Sequence, residues 1–126
     1  VTKSDKEWKS ILTEKEYYVM RKEGTEPAYS SKFNFEKASG TYVCKGCETP
    51  LFKSNHKYDS GSGWPSFYQT IDKNVSYSVD YKIGYARTEE HCSNCGSHLG
   101  HVFNDGPKPT GKRHCINGIA LKFVPN

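Results

Sequence analysis

Two Cys-x-x-Cys pairs, Cys44-Lys45-Gly46-Cys47 and Cys92-Ser93-Asn94-Cys95, stand about 44 residues apart in this chain of 126. Two soft ligands at each of two tight turns match a tetrahedral Zn²⁺ site in which each pair supplies half of the shell. Whatever fold the chain adopts must therefore bring two distant hairpins into contact. Hydrophobic residues make up only 34% of the chain, so its single core is thin and a metal that adds directly to folding free energy has more to contribute. Four thiolates close the shell and leave no position for water, so the expected Zn²⁺, one per chain, is structural. An odd cysteine count of five at this spacing favours a metal in a reducing compartment over a disulfide framework. The expected location is cytoplasmic, with an organelle after removal of a targeting peptide as the alternative.

The length fits one domain over 1–126, in which a helical strap over 1–39 precedes a zinc-stapled β core over 40–126. Lys6 to Arg21 reads as helical, with Trp8, Ile11, Leu12 and Lys15 at three- and four-residue spacings. Thr13-Glu14-Lys15-Glu16 offers Thr13 as the cap of a second short helix. Gly24-Thr25-Glu26-Pro27 breaks the pattern. Beyond Gly40 the texture changes to short β-prone runs: Thr41 to Val43, Pro50 to Phe52, Val75 to Val79, Lys82 to Thr88, His98 to Phe103 and Ile116 to Phe123. Gly61-Ser62-Gly63 and Asn104 to Pro107 mark turns. The net charge is +4 and its basic residues are scattered, which argues against a nucleic-acid partner. No apolar stretch approaches the ~20 residues of a membrane span. A monomer is expected.

The fifth cysteine, Cys115, lies in Arg113-His114-Cys115-Ile116-Asn117. On an extended strand Arg113, Cys115 and Asn117 share a face, and a cation there favours the reactive thiolate. The plainer reading is a buried thiol acting as a small hydrophobe. His98 and His101 could act as acids or donors, could be surface histidines after the second knuckle, or could join a mixed Cys/His ligand set. Trp64, on a Gly-Ser-Gly loop ahead of Pro65, is placed either for core burial or as a ligand platform. Three functions remain open from these residues. One is a thiol enzyme using Cys115, another a zinc-stapled module that binds nucleic acid or protein, and the third a hydrolase using His98 and His101 at an open zinc.

Taken in order, Gly24-Thr25-Glu26-Pro27, Tyr58-Asp59-Ser60-Gly61, Gly63-Trp64-Pro65-Ser66-Phe67, His98-Leu99-Gly100-His101-Val102-Phe103, Asp105-Gly106-Pro107 and Arg113 to Gly118 resemble the methionine-(R)-sulfoxide reductase family, MsrB. The resemblance runs from about Lys6 to the C-terminus. It implies a mainly β fold, two antiparallel sheets packed at an angle, with the Cys44, Cys47, Cys92 and Cys95 zinc at one edge. It implies that Cys115 attacks the sulfur of methionine sulfoxide, free or in a protein, to give methionine and a sulfenic acid. His98, His101 and Asn117 would hydrogen-bond or protonate the departing oxygen, and Arg113 and Asp105 would tune that network. Trp64, with Phe67, would hold the substrate methyl group and select the R epimer. Many members carry a second redox cysteine where this chain has Ser62. Recycling of Cys115 is therefore expected to need an external reductant such as thioredoxin, glutaredoxin or a small thiol.

Overall fold

The computed structural model describes residues 3–34, 36–71, 73–81, 84 and 86–125. Two helices open the chain, α1 (Asp5–Ile11) and α2 (Glu14–Arg21). Each begins with a reciprocal capping box, Ser4 with Glu7 and Thr13 with Glu16, which satisfies amide groups that a helix start leaves without partners. The second box makes Lys6 to Arg21 two helices, because Leu12 and Thr13 are extended between them.

Nine strands follow among the described residues: β1 (Gly40–Cys44), β2 (Pro50–Lys53), β3 (Lys57–Tyr58), β4 (Ser66–Phe67), β5 (Val75–Asp80), β6 (Arg87–Cys92), β7 (His98–Phe103), β8 (Arg113–Ile116) and β9 (Leu121–Pro125). They form two antiparallel sheets, one ordered β2-β1-β9 and the other β3-β4-β8-β7-β6-β5. Two expected strands need correction. Of the run over 82–88, residues 82, 83 and 85 lie outside the described set, and the strand there is β6, which begins at Arg87 and ends at Cys92. The run Ile116 to Phe123 is not one strand, because a 3₁₀ turn over Gly118–Ala120 carries the chain from the larger sheet into the smaller.

The core is aromatic. Phe52 and Phe67 stack at 4.4 Å, Tyr42 meets Phe67 edge-on at 5.2 Å, and Phe33 and Phe123 close over Tyr42. Each such ring, fully buried, contributes about 1.5–3 kcal/mol. Trp8 and Met20 of the helices join this cluster together with Cys44, Cys92 and Cys95, so the strap packs at the cysteine end of the sheets. Arg21 tightens that contact. Its guanidinium lies 4.5 Å from the Trp8 ring and donates to the Cys95 carbonyl at 2.9 Å.

Candidate active site and metal centre

The β1–β2 and β6–β7 turns bring the four paired cysteines together. The Cys44 and Cys95 sulfurs stand 3.6 Å apart and those of Cys47 and Cys92 3.5 Å apart, with all four within 4.8 Å of one another. Zinc–sulfur bonds of about 2.3 Å in a tetrahedron put the sulfurs about 3.8 Å apart, so the cluster fits a Zn²⁺ ion. All four thiols are free of disulfides. Hydrogen bonds with Cys92 and Cys95, helped by burial, hold the Cys44 thiol above its ordinary range, while hydrogen bonds from Cys44 and Cys92 draw Cys95 far below it. Buried sulfurs this close can all be thiolates only around a cation. Two further groups, Glu89 with His91 and His98, and Asp80 with Glu89 and His101, also place ligand atoms within 4.8 Å of one another. Their contacts are carboxylate–imidazole and carboxylate–guanidinium pairs, including Glu89 with His91 at 2.9 Å and Asp80 with Arg87 at 2.9 Å.

Cys115 lies on β8, paired in register with Ser66 of β4 on one side and His101 of β7 on the other. Close packing of β7 on β8 requires Gly100, where any Cβ would strike the Cys115 carbonyl oxygen. The thiol is half-buried. A chain of hydroxyls leads to it: Ser66 Oγ is 2.7 Å from Ser60 Oγ, which is 2.8 Å from Ser62 Oγ, which is 3.8 Å from Cys115 Sγ. Burial pushes the Cys115 thiol up, and the Ser62 hydrogen bond and the Arg113 charge pull down without offsetting it. Desolvation is the largest of these influences.

Arg113 is itself held. Its Nε and Nη2 donate to the Asp105 carboxylate at 2.8 and 3.2 Å, and its guanidinium lies 4.4 Å from the Phe103 ring. That fork holds the Asp105 carboxyl below the usual carboxylate range. Arg113, Asp105, Tyr58, Ser60 and Ser62 line an open hollow of about 550 Å³ beside the thiol.

The His98 ring is buried, with Nδ1 3.5 Å from Glu89 and an edge-on contact to His101 at 5.6 Å. His101 Nε2 is 2.8 Å from Asp80. An ionised carboxylate only accepts, so against one this nitrogen is the donor. His114, next to Cys115 in sequence, points the other way and pairs with Glu90, whose carboxyl is pushed up by complete burial. Asn117 lies just past the end of β8 with its backbone still extended. It heads the 3₁₀ turn, where its backbone N–H and its Nδ2 donate to the Leu99 carbonyl at 2.8 and 3.0 Å, and its Oδ1 accepts from the Glu26 N–H at 3.0 Å.

Trp64 is half-buried on the loop before β4, and its indole N–H donates to the Glu26 carbonyl at 2.9 Å. Gly63, at φ 95°, sets that loop in a conformation that favours glycine. Phe67 requires a correction. It is fully buried, stacked on Phe52 and edge-on to Tyr42, so it belongs to the core and cannot line a substrate pocket. Its place in the resembling motif says nothing of the face it occupies. Two positions past Pro65 it turns inward beneath the sheet, as Ser66 turns toward the hydroxyl chain.

Sequence reasoning missed Asp80, Glu89, Ser60, Ser66 and the role of Glu26. The registers of β5, β6 and β7 bring the first two to the histidines, and no local spacing signals that. Glu26, Ser60 and Ser66 had a visible marker, their places in the Gly24–Pro27, Tyr58–Gly61 and Gly63–Phe67 motifs.

The fold is a two-sheet β domain with a cluster of four cysteines able to hold a metal ion and a fifth cysteine on a strand of the larger sheet, paired with His101 and Ser66. The SelR domain family matches residues 12–125, and the chain belongs to that family. It is 53% identical to a peptide methionine sulfoxide reductase MsrB of Leptospira interrogans over 98% of this chain and 95% of that protein. A peptide methionine sulfoxide reductase MsrB of Methanosarcina barkeri is 49% identical over 98% of this chain and 87% of its own. A chloroplastic peptide methionine sulfoxide reductase B1 of Arabidopsis thaliana is 51% identical over 95% of this chain and 60% of its own. Among solved structures, the Mis18 'Yippee-like' domain superposes with a TM-score of 0.56 at 15% identity, covering 70% of this chain and 97% of that one, a likeness of fold alone.

Proposed function

We propose that the protein is a peptide-methionine (R)-S-oxide reductase in which Cys115 is the nucleophile. The observation that carries this reading is the position of Cys115, the cysteine left over from the four-sulfur cluster, between His101 and Ser66 and 3.8 Å from Ser62, a residue that lines an open hollow. The Cys115 thiolate attacks the sulfoxide sulfur and a sulfur–sulfur bond begins to form. The sulfoxide oxygen takes up two protons and leaves as water as its bond to the methionine sulfur breaks, and a water then attacks the Cys115 sulfur as the sulfur–sulfur bond breaks and methionine departs. In sum, methionine sulfoxide and a thiol give methionine and a sulfenic acid, so that Cys115 gains one oxygen. Two external thiols then return Cys115 to the thiol, releasing water and their own disulfide. Thioredoxin or a related dithiol is the proposed reductant, since Ser62 provides no sulfur.

His98, His101 and Asn117 are assigned to the oxygen, and Asp80 keeps the His101 ring in place through its contact with Nε2. Arg113, held by Asp105, favours the thiolate as substrate fills the hollow. Trp64 is assigned to the substrate methyl group and so to the choice of the R epimer. Cys44, Cys47, Cys92 and Cys95 would hold a structural Zn²⁺, which when bound cross-links the two sheets through a closed four-thiolate shell. A single domain acting as a monomer is proposed, in a compartment such as the cytoplasm that keeps its five cysteines reduced. Cys115→Ser tests the reading. It should abolish reduction of the R epimer with zinc content unchanged, and full activity in that variant would refute it.

A further inference from the structure

We propose that Glu26 is a positioning residue of this site, joining the indole of Trp64 to the amide of Asn117 through one peptide unit on each side. The inference rests on the sulfoxide-reductase reading above. Glu26 is 6% exposed, although it lies on the strap between α2 and the β sheets. Its backbone carbonyl accepts the Trp64 indole N–H at 2.9 Å and its backbone N–H donates to Asn117 Oδ1 at 3.0 Å. One residue therefore touches both the proposed methyl-binding ring and the proposed oxygen-binding amide, which lie 38 and 91 positions further along the chain.

The side chain anchors that residue. Its carboxylate accepts from the Gly118 N–H at 2.7 Å and the Ile119 N–H at 3.0 Å, closing the start of the 3₁₀ turn that Asn117 heads. Pro27, which follows, biases Glu26 toward extended backbone, where the N–H and the C=O of one residue point to the same side, as their bonds to Asn117 and Trp64 require. Burying a carboxylate is costly unless its oxygens are bonded, and here both bonds go to the segment that carries the catalytic amide. Asn117 is fixed from the other side by the Leu99 carbonyl on β7. Its Oδ1 is committed to Glu26 and one Nδ2 hydrogen to Leu99, so the second Nδ2 hydrogen is the one available to a substrate oxygen. Without the carboxylate anchor, both the indole and that hydrogen lose their fixed direction. Misplacement by about 1 Å costs up to a hundred-fold in rate.

The test uses the full zinc-loaded chain and the variants Glu26→Gln and Glu26→Ala. Single-turnover reduction is measured for each epimer of methionine sulfoxide, with the indole N–H resonances of Trp64 and Trp8 read in the absence of substrate. Glu26→Gln keeps the volume but can accept only one of the two backbone N–H groups. It is expected to slow R-epimer reduction about ten-fold or more, raise KM and narrow the preference for R over S. The Trp64 resonance should shift while that of Trp8 stays in place. Glu26→Ala should go further in each readout, at temperatures where melting curves show it folded. Wild-type rates and an unmoved Trp64 signal in both folded variants would overturn the inference while leaving the role of Cys115 intact. A wild-type protein that leaves the R epimer unreduced would overturn both.

Discussion

Replacing Ser62 by cysteine puts a second thiol where a hydroxyl now lies 3.8 Å from Cys115 Sγ. A disulfide needs sulfurs about 2.05 Å apart, so the two must approach by about 1.7 Å. The movement falls on a loop, since Ser62 sits between Gly61 and Gly63 outside any strand. The S62C protein should therefore convert its sulfenic acid into an intrachain disulfide. One equivalent of methionine-(R)-sulfoxide should leave the variant lighter by two hydrogens (about 2 Da), where the unsubstituted protein gains one oxygen (about 16 Da). The bridge spans 53 positions, and chain entropy over such a loop amounts to about 4 kcal/mol at 25 °C. With the unfolding entropy usual for this length, that raises Tm by about 15 °C, less whatever strain the bridge introduces. Intact-mass spectra and paired melting curves measure both effects. An S62C protein that keeps a trappable sulfenic acid, with no rise in Tm after turnover, would refute the placement of Ser62 against the nucleophile.

Cys47→Ser should release the metal and lower Tm by tens of degrees, because ion binding and folding are one equilibrium at such sites; metal content near one zinc per chain before the change and an unaltered Tm after it would contradict a structural ion. Arg113→Met should move the pH midpoint of Cys115 alkylation upward. The guanidinium favours the thiolate against burial, so at any pH below both midpoints the variant reacts more slowly, by about ten-fold for each pH unit that separates them. A midpoint that stays put or falls would show that the Arg113 charge does not reach the thiol. Phe67→Ala should cost about 3–5 kcal/mol in urea unfolding as a core cavity opens, with KM for the R epimer unchanged in the folded protein. A raised KM would restore Phe67 to the pocket.

The roles proposed for Cys115 and Trp64 come from the family resemblance, whereas the two Cys-x-x-Cys turns are legible in the sequence because each is a local pattern whose chemistry depends on spacing. Thr13 as a helix cap is legible for the same reason, since a capping box is contained within four residues. What escapes is set by pairing between distant segments. Asp80 meets His101 only because β5, β6 and β7 lie side by side in a fixed register. The break at Asn117 escapes because Ile116 to Phe123 has the composition of one strand, and it is two long-range contacts of Glu26, with Gly118 and Ile119, that end it. Phe67 escapes because a motif gives the order of residues and not the face each one takes.

The central claim is that Cys115 alone is oxidised, and only by the R epimer. A single-turnover experiment with each epimer, no added reductant and peptide mass mapping of the products addresses it directly. One methionine per chain is expected from the R epimer, with one added oxygen on the peptide containing Cys115, and neither product from the S epimer. Further turnover of the R epimer should begin only when thioredoxin or excess thiol is supplied. Oxygen found on any of Cys44, Cys47, Cys92 or Cys95, or equal reduction of both epimers, would contradict it.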